Sequence, residues 1–92
     1  MRLEKRVVLV TGGAKRIGRN LALALARRGA YLIINYRYSS TDAQAVIREI
    51  ETLGVEAMAV QGDVSNAADV DRMVRQSTER FGRIDVLINN AA

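Results

Sequence analysis

Glycines and cations are concentrated in the turn that follows the first apolar run of the chain. The run Val7–Val10 ends at Thr11, and the next seven residues are Gly12, Gly13, Ala14, Lys15, Arg16, Ile17 and Gly18. Glycines let the backbone approach a ligand closely, and the free N–H groups at a helix start attract anions. Glycine also occurs in strand-to-helix turns for steric reasons alone. The turn therefore leaves two interpretations open, a phosphate or pyrophosphate site and a purely structural turn.

Strand-like and helix-like segments alternate around this turn. Short apolar runs predict strands over residues 7–10, 31–36, 55–61 and 84–88. Apolar residues at helical spacing predict a helix after each of the first three strands. The order β-α-β-α-β-α-β requires a parallel sheet with right-handed crossovers and helices on both faces. The predicted fold is thus a doubly wound α/β sheet of the Rossmann type, with fewer strands than a full domain of that type.

Residues with capping preferences lie at the ends of the predicted helices. A glycine follows each helix, at Gly29, Gly54 and Gly82. Candidate N-caps of the second helix are Ser39, Ser40 and Thr41, and Ser65 is the predicted N-cap of the third.

Composition excludes several functional classes. The 92 residues form at most one small domain, and the absence of histidine and cysteine leaves no obvious metal ligands and no disulfide framework. No apolar run approaches the roughly 20 residues that span a bilayer, and the N-terminus lacks a signal-peptide pattern. Residues 1–40 hold nine of the 14 basic residues, but they form no run and aromatic residues are scarce. We therefore expect a cytoplasmic protein that binds neither nucleic acid nor membrane.

The unusual polar and glycine-rich segments all follow predicted strands. In doubly wound sheets, ligands bind outside the carboxyl ends of the strands. Those ends are Thr11–Gly13, Tyr36–Arg37, Gly62–Val64 and Asn89–Ala92. Their joint placement favours a nucleotide site over a steric turn.

The end of the second strand indicates which dinucleotide binds. Many such sites hold a carboxylate there, about 20 residues past the glycines, which bonds the ribose 2′-hydroxyl. Here Tyr36 and Arg37 occupy that place, and a guanidinium can bind a 2′-phosphate that a carboxylate would repel. Lys15 and Arg16 can approach the same region. Three cations without an acid favour NADP(H) over NAD(H).

Asp63 and the final asparagines each have two compatible interpretations. Asp63 can accept hydrogen bonds from the adenine amino group, with Val64 against the ring, or serve as a turn or N-cap carboxylate. Asn89 and Asn90 can form an Asx turn, and Ala91 after them would leave room for a ribose or nicotinamide to pass.

The motifs at residues 11–18, 63–64 and 83–92 resemble those of the short-chain dehydrogenases/reductases, and their separations also fit. The family's glycine pattern is Thr-Gly-x-x-x-Gly-x-Gly, and Arg16 stands where the middle glycine is expected. That variant is similar to pteridine-reductase-like and ketoacyl-reductase-like members, which use NADPH. The family's Asn-Asn-Ala-Gly motif ends here in Ala92 instead of glycine.

The resemblance implies a role for each matching position. Gly12, Gly13, Ala14, Lys15 and Ile17 would line the pyrophosphate and adenosine ribose. Arg37 and Ser39 would contact the 2′-phosphate, Asp63 and Val64 the adenine, and Asn90 and Ala91 the ribose path. Thr11 and Asn89 would tie the first strand to the fourth.

The family's catalytic serine and Tyr-x-x-x-Lys pair do not occur in these residues, since none of Tyr31, Tyr36 and Tyr38 has a lysine four positions later. The resemblance thus implies residues 1–92 to be the cofactor-binding part of a single reductase domain. The complete enzyme would be homo-oligomeric and would transfer hydride between NADPH and a small carbonyl or C=N substrate. The alternative is a non-enzymatic NADP-binding module or sensor.

Overall fold

The computed structural model describes residues 2–90 as a parallel sheet flanked by helices. Its elements are β1 (Val7–Val10), α1 (Arg16–Arg27), β2 (Tyr31–Tyr36), α2 (Ser40–Glu51), β3 (Ala57–Gln61), α3 (Ala67–Phe81) and β4 (Val86–Ile88). The predicted element order is confirmed. Both β3 and β4 begin two residues later than the apolar pattern predicts. Val55 and Ile84 pack against the core before the strands begin, so burial extends beyond the hydrogen-bonded ladder.

The four strands lie in the order β3-β2-β1-β4, and all three pairings are parallel. The chain therefore crosses from one edge of the sheet to the other between β3 and β4. Helices α1 and α2 cover one face, whereas α3 covers the opposite face. The doubly wound arrangement is confirmed.

Strand β1 lies in the middle of the sheet and is buried on both faces. Val8 and Val10 pack with residues of α1 and α2, whereas Val7 and Leu9 pack with Met73 of α3. All four strand residues are at most 7% exposed. This two-sided burial explains why β1 is a continuous apolar run and not an alternating one.

The carboxylate of Asp85 fixes the amino end of the sheet, opposite the glycine turn. Its Oδ2 accepts a hydrogen bond from Val7 N at 2.8 Å and another from Arg83 Nε at 2.8 Å. Arg6 Nη1 lies 3.7 Å from Oδ1. The Val7 N–H and the Arg83 guanidinium hold the pKa of Asp85 below its usual value. Asp85 is thus ionised and ties β1 to the segment that leads into β4.

The N-cap of α3 differs from the sequence prediction. Asn66, not Ser65, is the cap, and its side chain accepts a hydrogen bond from Asp69 N at 3.0 Å. Ser65 donates its hydroxyl to Asp63 Oδ1 at 2.7 Å and is therefore already engaged in the preceding turn. For α2, Ser39 occupies the N-cap position. Across residues 2–90, no helix is both long and apolar enough to cross a membrane.

Candidate dinucleotide-binding site

Asn35, the second-last residue of β2, joins three strand ends. Its side chain is buried and accepts a hydrogen bond from Gly12 N at 3.3 Å through Oδ1. Its Nδ2 donates to the carbonyl oxygen of Gly62 at 3.1 Å and contacts Sδ of Met73 at 3.0 Å. The glycine turn after β1, the end of β2 and the turn after β3 are therefore held together by one amide.

The fourth strand end reaches the same turn through Thr11. Thr11 Oγ1 lies 3.1 Å from Asn89 Oδ1 and accepts a hydrogen bond from Asn90 N at 2.9 Å. Asn90 Nδ2 donates to the carbonyl oxygen of Gly12 at 3.3 Å. The link between Thr11 and Asn89 agrees with the one that the resemblance implies. The carboxyl ends of all four strands thus meet at the glycine turn.

The backbone of the turn adopts conformations that suit a ligand-facing loop. Gly12 has φ 63°, and Gly13 N donates to Asn35 O at 3.2 Å. Helix α1 begins immediately afterwards, with Lys15 as an N-cap whose side chain makes no capping hydrogen bond. The first N–H groups of any helix have no partner within it, so α1 offers donors and a positive dipole end here.

Arg16 stands in a backbone conformation that favours glycine. Its φ is 54°, and its side chain is exposed. A left-handed conformation costs a non-glycine residue about 1–2 kcal/mol. The position at which the family pattern has its middle glycine therefore keeps a glycine-like backbone while carrying a guanidinium.

Gly18 is required by close packing and not by its dihedral angles. A Cβ atom at this position would overlap the carbonyl oxygen of Gly12 and lie 2.6 Å from Asn90 Nδ2. The first turn of α1 can therefore approach the glycine turn only because residue 18 has no side chain. Ala14 is buried beside it, whereas the side chain of Ile17 is 74% exposed.

An open pocket of about 180 Å³ lies between the glycine turn and the end of β2. Its lining residues are Gly12, Ala14, Lys15, Tyr36, Arg37, Tyr38 and Ser39. Ser39 makes no side-chain capping hydrogen bond to α2. The structure thus brings Lys15, Arg37 and Ser39 to one pocket, whereas Arg16, the third predicted cation, does not line it. The role of this pocket toward a 2′-phosphate stays a prediction.

Two of the three predicted cations are paired with acids. Arg37 Nη2 lies 2.9 Å from Asp63 Oδ2, and Lys15 Nζ lies 3.4 Å from Asp42 Oδ2. The sequence argument counted three cations and no acid in this region. That count is wrong, because the fold brings in acids from α2 and from the turn after β3. The absence of a carboxylate at the end of β2 itself still holds.

Asp63 forms the turn that the structural interpretation predicts. Its Oδ1 accepts hydrogen bonds from the Ser65 hydroxyl at 2.7 Å and from Ser65 N at 2.9 Å. These bonds, together with the Arg37 guanidinium, lower the pKa of Asp63 below its usual value. Val64 beside it is 40% exposed. A role of the two residues toward adenine stays a prediction.

Sequence reasoning missed Asn35, Asp42 and Asp85. Asn35 carried a signal, since it is the one amide in the apolar run Tyr31–Tyr36. Asp42 gave none, because its partner Lys15 is 27 positions away. Asp85 lies within the matching 83–92 motif, but the bond that it accepts from Val7 N spans 78 positions and could not be foreseen. The predicted site residue Ala91 lies outside the described residues.

Comparison with protein families identifies the chain. The family model described as short chain dehydrogenase matches residues 6–92. The chain belongs to this family. A curated short-chain dehydrogenase relative, the 3-oxoacyl-[acyl-carrier-protein] reductase of Synechocystis sp., is 49% identical over 89 residues. The alignment covers 97% of this chain and 36% of that relative.

The name of a second curated relative states that it uses either NAD or NADP. The L-rhamnose 1-dehydrogenase (NAD(P)(+)) of a Sphingomonas species is 44% identical, with 97% of this chain and 35% of that protein covered. The chain therefore spans about a third of the length of these curated relatives. Membership of the family determines the fold of this chain. The two curated relatives are both oxidoreductases, but their names give different substrates.

A solved short-chain dehydrogenase contains the predicted cofactor. The structure from Burkholderia cenocepacia in complex with NADP superposes with a TM-score of 0.93 and 42% identity. It covers 100% of this chain, which corresponds to 38% of that protein. The prediction of NADP as the cofactor agrees with this structure.

Proposed function

We propose that the chain binds NADP(H), in preference to NAD(H), at the carboxyl end of its sheet. The observation that carries this proposal is the convergence of four strand ends on the glycine turn through Asn35, Thr11 and Asn90. The donors at the start of α1 face the same end of the sheet, where a pyrophosphate is expected. The proposed cofactor contacts are Gly12, Gly13, Ala14, Lys15, Arg16, Ile17, Gly18, Arg37, Ser39, Asp63, Val64, Asn90 and Ala91.

The preference for the phosphorylated cofactor rests on the end of β2. Arg37 follows this strand directly, where a carboxylate would bond the 2′-hydroxyl of NAD(H). Its side chain is 55% exposed beside the pocket that also holds Lys15 and Ser39. A guanidinium binds phosphate through paired hydrogen bonds. The exposed Arg16 side chain supplies further positive charge at the start of α1.

Residues 1–92 would be the cofactor-binding part of one short-chain reductase domain. NADPH supplies a hydride for a carbonyl or C=N bond when it is bound. These residues would contribute binding and orientation, with Ile17 at the pyrophosphate and adenosine ribose and Asn90 along the path of the two riboses. In the complete protein, which we propose to be a homo-oligomer, a serine and a Tyr-x-x-x-Lys pair would supply the proton. A protein without that pair would be the alternative NADP-binding module.

Cofactor titration tests the proposal. We expect NADPH to bind with a lower Kd than NADH, as measured by the change in the fluorescence of each dinucleotide on binding. Arg37→Ala should reduce the difference between the two Kd values. Arg48→Ala, which removes an exposed cation at the far end of α2, is the matched control and should leave both Kd values unchanged. Gly18→Ala should abolish binding of both cofactors by displacing α1 from Gly12. Equal affinities for NADPH and NADH in the unmodified protein would refute the preference.

A further inference from the structure

The side chain that is proposed to bind the 2′-phosphate is already bound to an acid of the same site. Arg37 Nη2 and Asp63 Oδ2 are 2.9 Å apart, and the two residues follow neighbouring strands. The Arg37 guanidinium also lies over the Tyr38 ring, 4.9 Å from its centroid. Gln61 Nε2 donates to Arg37 O at 3.0 Å and fixes the backbone from which this side chain starts. The guanidinium therefore has a defined resting position toward β3.

Asp63 is held in place independently of Arg37. Ser65 N and the Ser65 hydroxyl bond Asp63 Oδ1, while Asp63 N donates to Asp69 Oδ2 at 2.9 Å. Asp69 is in turn paired with Arg72 at 3.2 Å. The side chain of Asp63 is 25% exposed, whereas that of Arg37 is 55% exposed. The acid is thus the anchored partner, and the cation is the partner that can move.

A 2′-phosphate near Arg37 would compete with this carboxylate for the same donors. Both groups are anionic, and a guanidinium donates its strongest hydrogen bonds in pairs to one planar or tetrahedral acceptor. Binding of the phosphate must therefore either displace Asp63 from Nη2 or leave Arg37 shared between two anions. In both cases the carboxylate reduces the net attraction between Arg37 and the phosphate.

We propose that Asp63 weakens the discrimination between NADPH and NADH by sharing the Arg37 guanidinium with the 2′-phosphate. This inference rests on the proposed cofactor site and adds a specificity-determining role for Asp63 to it. A contact between Asp63 and adenine would affect NADPH and NADH equally, because the adenine is common to both. Direct repulsion between the Asp63 carboxylate and the 2′-phosphate would also change the ratio of the two affinities, but that effect would persist without Arg37, whereas sharing of the guanidinium requires it.

The test is a double-mutant cycle on the full-length protein, with Kd values for NADPH and NADH. Asp63→Asn removes the charge but keeps an oxygen that can accept the bonds from Ser65. We expect it to raise the ratio of the NADH Kd to the NADPH Kd by about threefold to tenfold at low salt, the size of one screened charge pair. Arg37→Gln should lower the ratio. In the Arg37→Gln background, Asp63→Asn should change it less than twofold.

Two control variants separate this effect from others. Asp71→Asn removes an exposed carboxylate from α3 and should leave the ratio unchanged, which excludes a general effect of net charge. Ser65→Ala loosens the turn without removing the charge and should also leave the ratio unchanged. An unchanged or lowered ratio in Asp63→Asn would overturn the proposal, as would an effect that persists in full without Arg37. Failure of every variant to bind either dinucleotide would instead refute the proposed function.

Discussion

Asn35 Oδ1 accepts a hydrogen bond from Gly12 N at 3.3 Å, across 23 positions of the chain. This bond joins the end of β2 to the glycine turn after β1. The Asn35 amide also donates toward Gly62 O, so one buried side chain positions the turns after β1 and β3. The shape of the candidate site therefore depends on a residue that does not face the cofactor pocket.

Replacement of this amide by a carboxylate should destabilise the protein. In Asn35→Asp, a buried negative charge would face the carbonyl oxygens of Gly62 and Val60 and would lose the donated hydrogen bonds. We expect the free energy of unfolding to fall by about 2 kcal/mol or more, as measured by urea denaturation. Asn20→Asp, the same change at an exposed position of α1, is the control and should have little effect. Equal stability of the two variants would contradict the role assigned to Asn35.

Glycine at position 16 should stabilise the turn while removing a cation from it. The φ of 54° at Arg16 is unfavourable for any residue with a Cβ. We therefore expect Arg16→Gly to raise the free energy of unfolding by up to about 1 kcal/mol. The control Ala24→Gly, at an exposed position within α1, should lower it by about 0.5–1 kcal/mol. A loss of stability in Arg16→Gly similar to that in Ala24→Gly would show that residue 16 is unstrained.

Asp85 should make stability depend on acid pH. Its pKa is lower in the folded state than in the unfolded chain, because Val7 N and Arg83 bind the ionised form. Its stabilising contribution is therefore complete above the unfolded pKa, near pH 4, and is lost as the pH falls through the folded pKa. Asp85→Asn should be less stable than the unmodified protein at pH 7 and should lose less stability on acidification.

Denaturation midpoints between pH 7 and pH 3 measure this effect. Asp63, whose pKa is also lowered, leaves a residual acid dependence in Asp85→Asn. Asp71→Asn is the matched control and should keep the pH profile of the unmodified protein. Parallel profiles for Asp85→Asn and the unmodified protein would mean that the carboxylate does not stabilise the fold.

Strand β4 should cause the 92-residue chain to self-associate. It lies at an edge of the four-stranded sheet, and Leu87 in its middle is 62% exposed. Leu87 lines an apolar groove of about 320 Å³ together with Val64 and Val74. Exposed apolar edges promote pairing with other chains. We expect sedimentation to show concentration-dependent association, which Leu87→Lys reduces.

Leu53→Lys is the control for this substitution. Leu53 is 40% exposed beyond the end of α2 and does not line the groove. Its replacement should leave the association unchanged. If the 92-residue chain is monomeric and unfolds cooperatively, the exposed β4 edge and the apolar groove do not cause self-association, and the prediction is wrong.

Local pattern was sufficient to predict the secondary structure and the position of the site. The apolar runs, their spacing and the glycines between them predict seven elements, and the structure contains those seven among residues 2–90. The crossover rule then places every strand end on one side of the sheet. The elements and the side of the sheet that carries the strand ends both depend on residues close together in the chain, so they can be predicted from one sequence.

Capping was predicted less well, because adjacent polar residues compete for the same role. Ser65 and Asn66 both have the chemistry of an N-cap. The carboxylate of Asp63 binds the Ser65 hydroxyl, and this leaves the cap to Asn66. Which of the two residues caps the helix therefore depends on the hydrogen bonds of the whole turn, including the one between Ser65 and Asp63.

The amino-acid sequence by itself determined the doubly wound fold, the glycine turn and the place of Arg37 at the end of β2. Only the tertiary structure decided which acidic residues pair with the cations of this site. It paired Arg37 with Asp63 and Lys15 with Asp42, partners 26 and 27 positions away in the chain. Hydrophobic periodicity is a local property of the chain, whereas an ion pair forms wherever the folded backbone brings two long side chains within about 4 Å.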